Sequence, residues 1–149
     1  MRRLGLLLTV ALGAFLAQDL AAAAPAVSLS IGSIPKMKVR APRYSAAKVD
    51  DLEITATLAP QVRGEHRLAL KVFTPRGHLY QTLRVPVTAS SLPARGPRPP
   101  SRTQKISARL PVSGTLIVTS SLYGRWRVVP YLDDSAAPCG RELRFEITR

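Results

Sequence analysis

Residues 68–87 read Leu-Ala-Leu-Lys-Val-Phe-Thr-Pro-Arg-Gly-His-Leu-Tyr-Gln-Thr-Leu-Arg-Val-Pro-Val. Leu68, Leu70 and Val72 alternate with Arg67, Ala69 and Lys71. A period of two puts one parity on a dry face and the other in water, which is the signature of a half-buried strand. Thr74-Pro75-Arg76-Gly77 follows. Pro presets the second turn position, and Gly accepts the left-handed backbone that a tight reversal needs. Leu79 to Val87 then returns as the partner strand, with Tyr80, Thr82 and Arg84 interleaved. The stretch predicts an antiparallel hairpin.

The same period recurs on both sides. Leu52, Ile54, Ala56 and Leu58 alternate with Glu53, Thr55 and Thr57; Leu143, Phe145 and Ile147 alternate with Arg144, Glu146 and Thr148. Trp126, Val128 and Pro130 share one parity, Arg125, Arg127, Val129 and Tyr131 the other. Val27, Leu29 and Ile31 suit a short first strand, before Ile34-Pro35 and Ala41-Pro42 interrupt the pattern. Ile106, Leu110 and Val112 lead into Gly114, and the β-branched run Thr115–Thr119 reads as a short strand. No segment beyond the N-terminus carries an i, i+3, i+4, i+7 apolar stripe over three turns. Strand signals separated by turns about every 10 residues predict an all-β antiparallel sandwich or small barrel. About seven strands are expected, with Leu52, Ile54, Leu68, Leu70, Val72, Trp126, Val128, Leu143, Phe145 and Ile147 as the core.

Two cadences carry a family resemblance. One is Gly124-x-Trp126-x-Val128, then Tyr131-Leu132-Asp133-Asp134, then Phe145-x-Ile147; the other is Val72-Phe73-Thr74-Pro75-Arg76-Gly77. Together they resemble bacterial extracytoplasmic immunoglobulin-like domains over roughly 52–148. The resemblance implies an immunoglobulin-like β-sandwich and transfers no functional residue. The Cys pair of antibody-type domains is absent, since the chain has one Cys.

The N-terminus has a different character. Met1-Arg2-Arg3 precedes an uncharged Leu- and Ala-rich run from Leu4 to Gln18, and Ala21–Ala24 follows. A basic start, a short apolar run and small residues predict a secretory signal peptide over 1–24, cleaved after Ala23 or Ala24. The apolar run is shorter than the roughly 20 residues that span a bilayer, and no second one occurs, so no transmembrane segment is expected in the mature chain. Residues 25–47 then form an N-terminal strand and linker, and 48–149 the sandwich.

The chain of 149 residues has 22 Lys+Arg against 9 Asp+Glu, a net charge of +13. The most basic stretch is built on a Pro- and Arg-rich loop at 90–102, Ser-Ser-Leu-Pro-Ala-Arg-Gly-Pro-Arg-Pro-Pro-Ser-Arg. Arg95, Arg98 and Arg102, with Lys105 and Arg109 beyond, are the candidate contacts for an anionic glycan or lipid surface. No aromatic residue is interleaved among them, so a nucleic-acid partner is not expected.

Catalytic and metal chemistry find little support. His66 and His78 are the only histidines, and the hairpin should keep them apart. One Cys excludes an internal disulfide, a zinc ribbon and an iron–sulfur cluster. Cys139 has no His nearby in sequence; it is either free or paired with another chain. Asp133-Asp134 offers two carboxylates where calcium wants six to eight oxygens. No catalytic residue, cofactor or metal is therefore expected. The sequence points to a secreted or periplasmic, non-enzymatic β-sandwich that acts as a structural or interaction module of the cell envelope, with an envelope protein as a candidate partner. The alternative is a carbohydrate- or anionic-surface-binding module. A carbohydrate platform would need Tyr80, Tyr123, Tyr131 and Trp126 exposed on a common face.

Overall fold

In a computed structural model, which describes residues 25–39, 41–89 and 103–149, two sheets face each other. One is formed by β1 (Val27–Ile34), β3 (Asp51–Leu58) and β6 (Gln104–Pro111), in the order β1-β3-β6. The other holds β2 (Arg43–Ser45), β4 (Gly64–Phe73), β5 (Leu79–Ala89), β7 (Gly124–Leu132) and β8 (Leu143–Thr148), in the order β2-β8-β7-β4-β5. All pairings are antiparallel except that of β2 with β8. Only β4–β5 and β7–β8 are sequential hairpins; every other connection crosses between the sheets. This is an immunoglobulin-like β-sandwich.

Alternation decides what each strand contributes. β3 buries Leu52, Ile54, Ala56 and Leu58; β4 buries Leu68, Leu70 and Val72; β7 buries Trp126 and Val128; β8 buries Phe145 and Ile147. The expected core assembles with one adjustment: Leu143 is half-buried, because it opens β8 at the margin of the sheet. Trp126 donates its indole N–H to the Leu122 carbonyl at 3.0 Å, so its polar atom stays satisfied inside. Tyr80 meets it edge-on, with ring centroids 5.2 Å apart.

The reversal at 74–78 forms as its residues require. Gly77 has φ of +84°, and the Thr74 and Gly77 amides donate to the His78 and Thr74 carbonyls. Pro130 lies inside β7, yet no ladder bond is lost. Its partner β8 has its last register pair at Val128↔Leu143, and the Pro130 carbonyl accepts from the Cys139 amide instead.

Three features differ from the sequence reading. Thr115–Thr119 is no strand: Leu116–Thr119 forms one helical turn, α1, with the Thr115 hydroxyl accepting from the Ile117 amide. A capping side chain overrides β propensity in a segment that has no strand to pair with. The strand count is eight among the described residues. The extra strand is β2, three residues pairing in parallel with Glu146–Thr148 after the interruption at Pro42. β2 also brings Tyr44 into the core, where its hydroxyl donates to the Ile31 carbonyl at 3.2 Å and ties the two sheets together.

Candidate interaction surface on the five-stranded sheet

The parity that buries Leu68, Leu70, Val72, Trp126 and Val128 sends their neighbours outward. β4 presents Arg67, Lys71 and Phe73; β7 presents Arg125, Arg127 and Tyr131. β8 and β2 add Arg144, Glu146 and Arg43, and β5 adds Arg84. Among the described residues the outer face thus carries seven cationic side chains, with Glu146, the adjacent Glu142 and, beside Arg67 at 3.7 Å, Asp134 as its carboxylates.

Two cations lie flat on aromatic rings. Lys71 Nζ stands 4.2 Å from the centroid of Tyr131, and the Arg127 guanidinium 4.4 Å from that of Phe73. Such contacts are worth about 0.5–1 kcal/mol at exposed sites. The long stems cover the sheet beneath, so that Ala69 and Val129 are buried although they face outward. Glu146 pairs with Arg43 at 2.9 Å, and Glu142 pairs with both Arg127 and Arg144. Exposed pairs contribute only about 0–1 kcal/mol and exchange readily for other anions. Among the described residues, Lys71, Arg84 and Arg125 form no ion pair.

At the end where β7 leaves the sheet, an ionic clamp closes the face. His66 Nδ1 lies 2.7 Å from the Asp133 carboxylate and Nε2 lies 2.8 Å from the Arg63 carbonyl. Both neighbours accept, so the arrangement favours the protonated ring, with hydrogen on both nitrogens. The other Asp133 oxygen accepts the Arg67 amide at 2.8 Å, and the Asp133 amide donates to the Arg67 carbonyl. Asp133 and Asp134 hold left-handed backbone, φ of 51° and 56°, which Asp tolerates better than most residues.

The hydrogen bond to Asp133 raises the His66 pKa, and the same bond lowers that of Asp133. A raised cationic pKa stabilises fully below about 6.5, the unfolded value, and its contribution fades as pH climbs through the folded value. A lowered carboxylate pKa stabilises above about 3.9 and is lost as pH falls through the folded value. Thermal stability is expected to decline above about pH 6.5 in the native protein. The His66→Gln variant, measured alongside, should lack that part of the decline.

Lys105 and Arg109 are exposed on β6, four positions apart on the outer face of the three-stranded sheet. Arg109 stands opposite Glu53 in register, and the Thr55 and Ser107 hydroxyls bond at 3.2 Å between the two cations. These two therefore sit on the far side of the sandwich from the seven cations. Arg95, Arg98, Arg102 and the cleavage region Ala23–Ala24 lie outside the described residues. The sequence reading missed the larger surface because it weighed linear charge density. The signal was the wet parity of each strand.

Cys139 is half-buried in the β7–β8 turn, and burial pushes its thiol up to about 11, with the Asp133 charge adding in the same direction. A backbone hydrogen bond at Cys139 itself acts the other way without offsetting burial. Only a small fraction is thiolate near pH 8, so alkylation by iodoacetamide should be slow in the native protein and fast in urea. Equal rates in both would contradict this placement.

The four candidate aromatics of a carbohydrate platform do not share an exposed face. Trp126 is buried; Tyr80 packs inward against it; Tyr123 packs against the core; Tyr131 lies outward beneath Lys71. Among the described residues, no three His, Cys, Asp or Glu gather as a metal site, and no helix is long and apolar enough to cross a membrane.

No protein-family model matches the chain, and no curated protein matches it. Solved structures do. An immunoglobulin-like protein from Pseudomonas aeruginosa aligns over 81% of this chain and 92% of its own, at 13% identity and a TM-score of 0.46. The CARDB domain of a Pyrococcus furiosus protein, crystallised with di-metal ions, aligns over 85% of this chain and 90% of its own, at 9% identity and a TM-score of 0.38.

Proposed function

We propose that this protein is an exported, non-catalytic interaction module of the cell envelope, and that the outer face of its five-stranded sheet receives an acidic partner. The observation that carries the reading is the excess of cations on that face, with Lys71, Arg84 and Arg125 in no ion pair. Uncompensated like charge on a rigid sheet attracts counter-charge and speeds encounter. Export rests on the basic, apolar and small-residue order of 1–24. The non-catalytic reading is supported by the groups that could do chemistry. His66 and Asp133 are spent on a backbone clamp, and the Cys139 thiol is held neutral.

Retention on immobilised heparin, read as the salt needed for elution, tests the reading. The triple variant Lys71→Gln, Arg84→Gln, Arg125→Gln is expected to elute at distinctly lower salt than the parent. Lys105→Gln with Arg109→Gln should shift elution less. The reverse order would move the contact to β6 and the basic stretch before it.

A further inference from the structure

A second surface gathers at one end of the sandwich and adjoins the sheet face, where Val39 lines a groove with Arg43, Arg125 and Arg144 and Leu79 is in register with Phe73. Register and backbone hydrogen bonds define this end. The Asp50 amide donates to the Ile34 carbonyl, and the Asp50 carbonyl accepts from the Val112 and Ser113 amides, so the end of β1, the start of β3 and the end of β6 meet there. α1 follows directly and leads to Gly124, where a Cβ would stand 3.1 Å from Pro75 of the β4–β5 turn. The four exposed large hydrophobic residues among those described are Met37, Val39, Leu79 and Leu116. Each lies in a segment that starts from or forms this end: the chain after β1, the return from the β4–β5 turn, and α1. Leu79 and Leu116 stand 55% and 61% exposed, at the first positions of β5 and α1, where the core has no use for them.

Exposed Lys36, Lys38, Lys48 and Arg76 lie in the segments that form this end, together with Asp50 and Asp51. The opposite end balances Glu65, Asp133 and Asp134 with Arg63, Arg67 and Arg141 and carries none of the exposed large hydrophobics. Apolar tips and cations carried by the same end of a strand bundle match the interface of a bilayer: tips enter the headgroup layer while ammonium and guanidinium groups meet phosphate. A folded protein partner would instead call for a contiguous apolar patch with a polar rim, and these side chains stand on separate segments.

We propose that this end docks on an anionic phospholipid surface, with Leu79 and Leu116 entering the headgroup region and Lys36, Lys38 and Arg76 contacting lipid phosphates. The strands then stand away from the membrane and leave the cationic sheet face free.

Co-sedimentation with phosphatidylcholine vesicles, with and without phosphatidylglycerol, tests this. The protein should bind the phosphatidylglycerol vesicles and far less to phosphatidylcholine alone. Leu79→Ser with Leu116→Ser removes two exposed side chains, so circular dichroism and heparin retention should match the parent while vesicle affinity drops roughly tenfold or more. The triple variant at Lys71, Arg84 and Arg125 should elute from heparin at lower salt but keep most vesicle binding. Failure to bind either vesicle, equal binding to both, or unchanged binding by the double Leu variant overturns end-on docking and leaves the sheet-face reading standing. Loss of vesicle binding in the triple variant alone would also overturn it, since lipid would then meet the sheet. A parent protein that binds vesicles but not heparin would sink the sheet-face reading instead.

Discussion

Replacing Trp126 with Ala is expected to destabilise the protein by about 3–5 kcal/mol, the usual range for emptying a large aromatic site in a core. The side chain is 1% exposed, two residues into β7. It stacks over Phe145 with centroids 6.3 Å apart and receives the edge of Tyr80, so its loss leaves unfilled volume between both sheets. The Leu122 carbonyl would also lose its donor. The native protein should show blue-shifted, poorly quenched tryptophan emission. Urea unfolding followed by circular dichroism should give a lowered midpoint for Trp126→Ala and a smaller change for Trp126→Phe, which keeps most of the volume. A cost under 1 kcal/mol for the Ala variant would contradict the packing described.

Gly140→Ala should rank next, at about 2–3 kcal/mol, toward the upper end of overpacking costs. A Cβ there would stand 2.0 Å from the Val27 carbonyl oxygen, and backbone cannot swing aside as a flexible side chain can. Val27 is fully buried, bridges Gly140 in parallel and donates its amide to Cys139. The variant must therefore lift the start of β1 or deform the β7–β8 turn. Hydrogen exchange should show β1 amides losing protection first. Gly77→Ala is the control: its Cβ would meet open space, so only the left-handed backbone penalty of about 1–2 kcal/mol applies.

Period-two patterning made the strands of the central hairpin, β3, β7 and β8 legible, because each buries one parity against the opposite sheet. Where a second influence outweighed side-chain periodicity, the reading missed. Thr115 caps a helical turn, which propensity alone scored as strand. β2 is three residues long, too short for a period to register, and its place depends on pairing with distant Glu146–Thr148. The interaction face was written in the same alternation that revealed the core. Arg125 and Arg127 flank Trp126, and Lys71 flanks Leu70 and Val72. Their convergence requires the order β8-β7-β4-β5, which no local pattern states. The placement of Leu79 and Leu116 at one end is still less legible, since residues 37 positions apart reach that end only through the β6-to-β7 crossover.

The sheet-face claim is tested most directly by following backbone amide shifts of isotopically labelled protein during titration with a heparin oligosaccharide. The largest changes are expected at Lys71, Arg84, Arg125 and Arg127, fading as salt is raised because exposed charges are screened beyond about 10 Å at 0.1 M. Amides of Ser28, Thr55 and Thr57 on the opposite sheet should stay still. Changes confined to Lys105, Arg109 and the stretch before them, with β4 and β7 unmoved, would contradict the account.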